Sequence, residues 1–142
     1  MRRALERCAI VDRPSPDCKR QRATFQVTRS PTQQDGDRAE ARALDHLERA
    51  GLRLIARQVA FRVGEIDLIM ADGGQVVFVE VRRRRSMAFG GAAASISAAK
   101  RRRITLAAQV WLQSHHGDHW PECRFDVCAI QGEELQWIRG AF

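Results

Sequence analysis

Apolar residues recur at Ala39, Ala43, Leu44, Leu47 and Ala50, the spacing of one helix face. Asp35 is the predicted N-cap of that helix, and Gly51 the glycine that ends it. Three strand patterns follow. Leu52–Phe61 is apolar and partly alternating; Arg62–Ala71 carries Val63, Ile66, Leu68 and Met70; Gln75–Arg82 carries Val76, Val77, Phe78, Val79 and Val81. Asp72-Gly73-Gly74 lies between the last two and predicts a hairpin turn. Residues 83–96 are small, glycine-rich or basic and read as a loop. A second helix is predicted from about Ser97 to Ser114, with Ile104, Ala107, Ala108, Trp111 and Leu112 as its apolar stripe. Cys123–Gln131 and Glu134–Ile138 complete the chain as a hairpin across Gly132–Glu133. The predicted order is α-β-β-β-α-β-β, without internal repeat.

Residues 1–34 show no such period. They mix Pro14, Pro16 and Pro31 with scattered arginines, and read as a basic, flexible N-terminal extension or as sequence upstream of the true start. The expected domain is residues 35–142. The whole chain carries a net charge of +7. Residues 1–34 hold eight Lys/Arg against three Asp/Glu, and the rest sixteen against fourteen. The domain is thus almost balanced, with its positive charge gathered in Arg82–Arg85 and Lys100–Arg103. That excess favours a polyanionic partner. No apolar run approaches the ~20 residues of a membrane span, and no secretory signal is evident. A cytoplasmic protein is expected. The four cysteines have no CxxC spacing. Cys123 and Cys128, five apart on one predicted strand, point to opposite faces and read as reduced thiols.

The hairpin adds chemistry to this pattern. Centred between Gly73 and Gly74, it sets Asp67 directly opposite Glu80. Two facing carboxylates on adjacent strands repel each other, and these lie among Val, Ile and Phe, where burial raises the cost. A divalent cation such as Mg²⁺ or Mn²⁺ would remove that penalty. Period two adds Glu65 and Arg82, so that Glu65, Asp67, Glu80 and Arg82 are expected on one surface. The alternative is an edge hairpin whose solvent-facing carboxylates pair with neighbouring arginines.

Gly64-Glu65-Ile66-Asp67-Leu68-Ile69, Phe78-Val79-Glu80-Val81-Arg82, Ala88-Phe89-Gly90-Gly91, Arg124-Phe125-Asp126-Val127 and the closing Trp137-Ile138-Arg139-Gly140-Ala141-Phe142 resemble the YraN family of uncharacterised bacterial proteins. The resemblance covers residues 36–142. That family in turn resembles the PD-(D/E)xK nucleases, which include restriction endonucleases and Holliday-junction resolvases. The resemblance implies an α/β fold, a restriction endonuclease-like mixed sheet flanked by helices. It implies a metal-dependent nuclease acting on DNA rather than RNA, with branched or structured DNA among its substrates. Asp67 corresponds to the metal-binding aspartate, Glu80 to the acidic residue of the (D/E)xK element, and Glu40 to the extra helical glutamate of resolvase-like members. Dimeric resolvases make a homodimer the expected assembly by analogy.

One position departs from the pattern. Arg82 stands where the superfamily has lysine. An arginine stays protonated and cannot serve as a base, although it can hold a phosphate through two hydrogen bonds. The second hypothesis is therefore a nuclease fold that binds nucleic acid with weak or no cleavage. Arg83 and Lys100 are the other cations placed to reach the site. Arg83, Arg84, Arg85, Lys100 and Arg101 are candidates for phosphate contact. Asp126 is a candidate either for a structural salt bridge or for assisting the site. Gly90-Gly91 reads as a connector. His115, His116, His119 and Cys123 match no familiar zinc spacing, and the three tryptophans read as packing residues. A third hypothesis, a protein adaptor, predicts a large exposed apolar patch and no salt-sensitive DNA binding.

Overall fold

A computed structural model describes residues 30–83 and 96–142. The expectations for Arg84, Arg85, Gly90-Gly91 and residues 1–29 lie outside those residues. The elements are α1 (Pro31–Arg49), β1 (Arg53–Phe61), β2 (Gly64–Asp72), β3 (Gln75–Arg83), α2 (Ala98–His116), β4 (Cys123–Gln131) and β5 (Glu134–Ile138). The order α-β-β-β-α-β-β is the predicted one.

The strands form one mixed sheet in the order β1-β2-β3-β4-β5. Neighbours joined by tight turns are antiparallel, whereas β3 and β4 are parallel, with α2 between them in sequence. A parallel pair needs such a long crossover. The two helices cover opposite faces. Ala39, Ala43 and Leu47 of α1 pack on Leu68, Met70, Val77, Val79, Cys128 and Ile130. Ile104, Ala107, Ala108, Trp111 and Leu112 of α2 pack on Ile69, Val76 and Phe78. Strand β3 is covered on both sides, and Val76 through Glu80 are buried. This explains its nearly unbroken apolar run.

Helix α1 starts four residues before the predicted Asp35. Ser30 is the N-cap: its hydroxyl accepts from the Gln33 N–H, and the Gln33 side chain accepts from the Ser30 N–H. That reciprocal capping box, with Pro31 in the first turn, outweighs the Asp35-Gly36 signal. Asp35 instead faces Arg83 at 3.0 Å. The helix ends as predicted, with Gly51 at φ +97°. The second strand is shorter than predicted, because Arg62 and Val63 form the turn between β1 and β2. Ser97 caps α2 by accepting from the Lys100 N–H at 3.2 Å.

Gly64 governs how closely α2 approaches the sheet. A β-carbon at this position would collide with the backbone carbonyl of Arg103. Glycine therefore permits the contact that carries the first turns of α2 onto the end of β2. Among the described residues, no helix is long and apolar enough to cross a membrane.

Candidate functional site

The β2–β3 hairpin has the predicted register, with Leu68 opposite Val79 and Asp72 opposite Gln75. The paired ladder stops one residue short of Asp67. There the Asp67 side chain takes over: its Oδ2 accepts from the Val81 N–H at 2.8 Å. On the other edge of β2, Arg57 pairs with Leu68 and Val59 with Ile66, leaving Gln58 and Asp67 between them unpaired in the register. Gln58 has φ +51°, a left-handed conformation uncommon for a residue with a side chain. Alternation also breaks here. Ile66 packs in the α2-side core while Leu68 packs in the α1-side core.

The single surface expected for Glu65, Asp67, Glu80 and Arg82 is thereby corrected. Because β2 switches faces at Asp67, the acidic groups surround a notch at the strand end. Asp67 opens into a groove of about 470 Å³ beneath α1, bordered by Glu40, Val81 and Arg83. Glu65 and Glu80 turn toward α2, where they share Lys100: its Nζ lies 3.5 Å from Glu65 Oε1 and 3.4 Å from Glu80 Oε2. Asp67 is nonetheless close enough to Glu80 for its charge to raise the Glu80 pKa.

Electrostatics mark the pair. Burial pushes the Glu80 carboxyl up to about 7; the Asp67 carboxylate adds to that rise, and Lys100 opposes it. Burial also raises Asp67, against the lowering effects of the Val81 N–H and Lys100. Glu40 is raised mainly by burial, and the Gln58 hydrogen bond works the other way. Glu80 Oε2 is buried and accepts no hydrogen bond from the described residues; the Lys100 ammonium meets it as an ion pair at 3.4 Å. A buried carboxylate oxygen without a donor among the described residues suits a hard divalent cation, and Asp67 would supply an adjacent oxygen ligand. The donor set thus fits Mg²⁺ or Mn²⁺. The third predicted ligand is turned aside: Glu40 Oε2 accepts from Gln58 Nε2 at 3.1 Å and lies 3.9 Å from Arg57 Nη2. Among the described residues, no three acidic, cysteine or histidine side chains are already gathered for a metal.

The remaining predicted residues separate. Arg82 is near enough to Glu80 to lower its pKa. Arg83 is tied to Asp35 on α1. Arg101 donates from Nε to the Ile96 carbonyl at 3.1 Å and lies over the Phe142 ring, so it ties the segment entering α2 to the C-terminal Phe142. Asp126 is fully buried and serves a structural network. It accepts from Arg124 Nε, Trp137 Nε1 and the Gly140 N–H, while Arg124 also reaches Asp72 and Gln75. His115 stacks on Trp111. Cys123 is exposed and Cys128 buried, in keeping with their opposite faces, and both are free thiols.

Sequence reasoning missed Gln58 and Gly64. Lys100 was foreseen as a cation within reach, but not as the partner of both Glu65 and Glu80. Its signal was Ser97: an N-cap there puts Lys100 in the first turn of α2, beside whatever that end of the helix touches.

Residues 39–130 match the model of "Uncharacterised protein family UPF0102". The chain is 52% identical over 117 residues to a "UPF0102 protein" of Halorhodospira halophila, covering 82% of this chain and 93% of the relative. It is 56% identical over 107 residues to one of Dechloromonas aromatica, covering 75% and 87%. It is 51% identical over 112 residues to "UPF0102 protein YraN" of Escherichia coli, covering 78% and 86%.

Proposed function

The chain belongs to uncharacterised protein family UPF0102, and we propose that it is a metal-dependent phosphodiesterase acting on DNA, with branched or structured DNA among its substrates. The observation that carries this reading is the buried pair Asp67–Glu80, with one carboxylate oxygen that accepts no hydrogen bond from the described residues and a lysine ammonium 3.4 Å away. The likeness to PD-(D/E)xK nucleases points the same way. Asp67 and Glu80 would hold Mg²⁺ or Mn²⁺, and Glu40 would join them by exchanging its bond to Gln58. Such an ion, when bound, polarises the phosphate and acidifies a water.

The chain's own residues supply the rest. The Val81 N–H fixes the Asp67 carboxylate, so its free oxygen is aimed before the ion arrives. Lys100 brings an ammonium to the place left without a lysine on β3. In this reading it orients the attacking water and stabilises charge developing on the phosphate. Arg82 adds a fixed positive charge beside Glu80. The two-sided cover of β3 limits water around the pair, which strengthens each of these interactions.

The test is direct. The purified protein is incubated with plasmid, single-stranded and four-way-junction DNA in Mg²⁺ or Mn²⁺. Cleavage is expected, with a loss of at least about 100-fold in Asp67→Ala. Cleavage that survives this change removes the site from the reaction.

A second reading is supported by the displaced Glu40. A pair without its third ligand serves a protein that binds nucleic acid and cuts it weakly or not at all. Salt-sensitive binding without cleavage, combined with activity gained in Arg82→Lys, would establish it.

A further inference from the structure

A cleft of about 360 Å³ lies between the β1–β2 turn and the first turns of α2, bordered by Arg62, Gly64, Glu65, Lys100 and Arg103. It adjoins the carboxylate notch, because Glu65 and Lys100 border both. Lys100 and Arg103 are three residues apart and so share one side of α2. Arg62 faces them from the turn.

Arg42, Arg49, Arg57, Arg83 and Arg124 each meet a carboxylate. Arg62 and Arg103 are exposed and, like Arg38, Arg53, Arg82, Arg102 and Arg139, make no ion pair among the described residues; Arg62 and Arg103 are the two that border the cleft. Among the described residues, the only carboxylate on the cleft wall is Glu65, already engaged by Lys100. Arg62 and Arg103 therefore stand without a carboxylate partner beside the candidate reaction site, next to Lys100, which pairs with Glu65 and Glu80. Phe61, the one aromatic among the described residues on the wall, packs into the α2-side core, so the described lining offers no platform for a base. Its chemistry suits a sugar–phosphate backbone, the part that a duplex presents outward.

We propose that this cleft seats a backbone phosphate of duplex DNA through Arg62 and Arg103, next to the phosphate addressed by Asp67 and Glu80. The proposal rests on the phosphodiesterase reading for the choice of DNA, but binding tests it separately from cleavage.

The experiment measures fluorescence anisotropy of a labelled 30-base-pair DNA duplex with the full chain, in chelator, across a salt series. Arg62→Ala/Arg103→Ala is compared with Arg62→Lys/Arg103→Lys and with Arg53→Ala. Arg53 is an exposed arginine at the far end of β1, about 30 Å away. The double alanine variant is expected to bind about 10-fold more weakly, with a salt slope shallower by about 0.9, the value for one phosphate contact. The double lysine variant keeps the slope, and Arg53→Ala keeps both. In Mn²⁺, the double alanine variant raises KM and leaves kcat at saturating DNA unchanged.

Unchanged affinity and slope in the double alanine variant overturn the proposal. So does an equal loss in Arg53→Ala, which indicates diffuse charge only, as does tighter binding of an RNA duplex of the same length. The expected binding pattern without cleavage removes the phosphodiesterase reading and keeps the cleft. Cleavage indifferent to both arginines does the reverse.

Discussion

Lys100 Nζ lies 3.4 Å from Glu80 Oε2, so the ammonium beside the carboxylate pair comes from α2 and not from the strand that carries Glu80. Arginine at position 82 cannot act as a base; in the proposed phosphodiesterase, Lys100 would take the place of the lysine in the pattern that the chain resembles. Lys100→Met is expected to lower DNA cleavage by about 10²–10³-fold, the scale seen when a group stabilising developing charge is lost. Arg82→Lys is expected to change the rate only a few-fold. Single-turnover cleavage of both variants checks this. A large gain in Arg82→Lys, with no loss in Lys100→Met, would return the missing lysine to β3 and favour binding without cleavage.

Gly64 sets the position of that lysine. A β-carbon there meets the carbonyl of Arg103, which is backbone and cannot swing aside. Helix α2 must move outward to admit it. Gly64→Ala is expected to destabilise the fold by about 1–3 kcal/mol, the usual range for forced overpacking. Because Lys100 and Glu65 lie at the same contact, Gly64→Ala should also reduce cleavage in protein that remains folded. Urea unfolding followed by rate measurement well below the midpoint separates the two effects. Unaltered stability would show that the helix does not rest on this glycine.

These two positions mark where the sequence was legible and where it was not. The Gly73-Gly74 turn has a local signature, and it carried the hairpin register from Leu68–Val79 down to Asp72–Gln75. Both closing strands were likewise bounded by local turn residues. The start of α1 was misplaced because Asp35-Gly36 and Ser30-Pro31 both resemble caps, and only the Gln33 side chain completes a box. The notch itself is non-local. Nothing near Lys100 in sequence states that α2 will rest on Gly64. Strict alternation hid the change of face at Asp67, and glutamine carries no strong signal for the left-handed backbone adopted by Gln58.

Gln58 holds that conformation beside Asp67 while its amide donates to Glu40 at 3.1 Å. A left-handed backbone costs a residue with a β-carbon roughly 1–2 kcal/mol. Gln58→Gly is expected to recover that amount and to offset the lost hydrogen bond, leaving stability within about 1 kcal/mol. Gln58→Val keeps a β-carbon, adds branching and removes the donor, and should destabilise by about 2–3 kcal/mol. Chemical denaturation of the three proteins tests the order. Equal stability of the glycine and valine variants would mean that the backbone at this point is not strained.

Glu80 gives the fold a pH dependence of unusual sign for a carboxylate. Burial, reinforced by Asp67, raises its pKa from an ordinary 4.5 to about 7. Between those values the folded chain retains a proton that the unfolded chain has released. Stability linked to this group is thus fully present below about pH 4.5 and declines as pH rises to about 7. The full change is about 3 kcal/mol, because holding the proton across each pH unit of that window is worth about 1.4 kcal/mol. The metal-free protein, kept in chelator, should therefore melt at a higher temperature near pH 5.5 than near pH 8. Glu80→Gln, which is neutral at both, should remove most of that difference. Mn²⁺ in place of chelator should stabilise the protein more at pH 8 than at pH 5.5, because only the ionised pair binds it without displacing a proton. A metal-free melting temperature that does not fall between pH 5.5 and 8, in wild type and Glu80→Gln alike, would show that Glu80 is ionised without penalty and that the notch is already neutralised by Lys100.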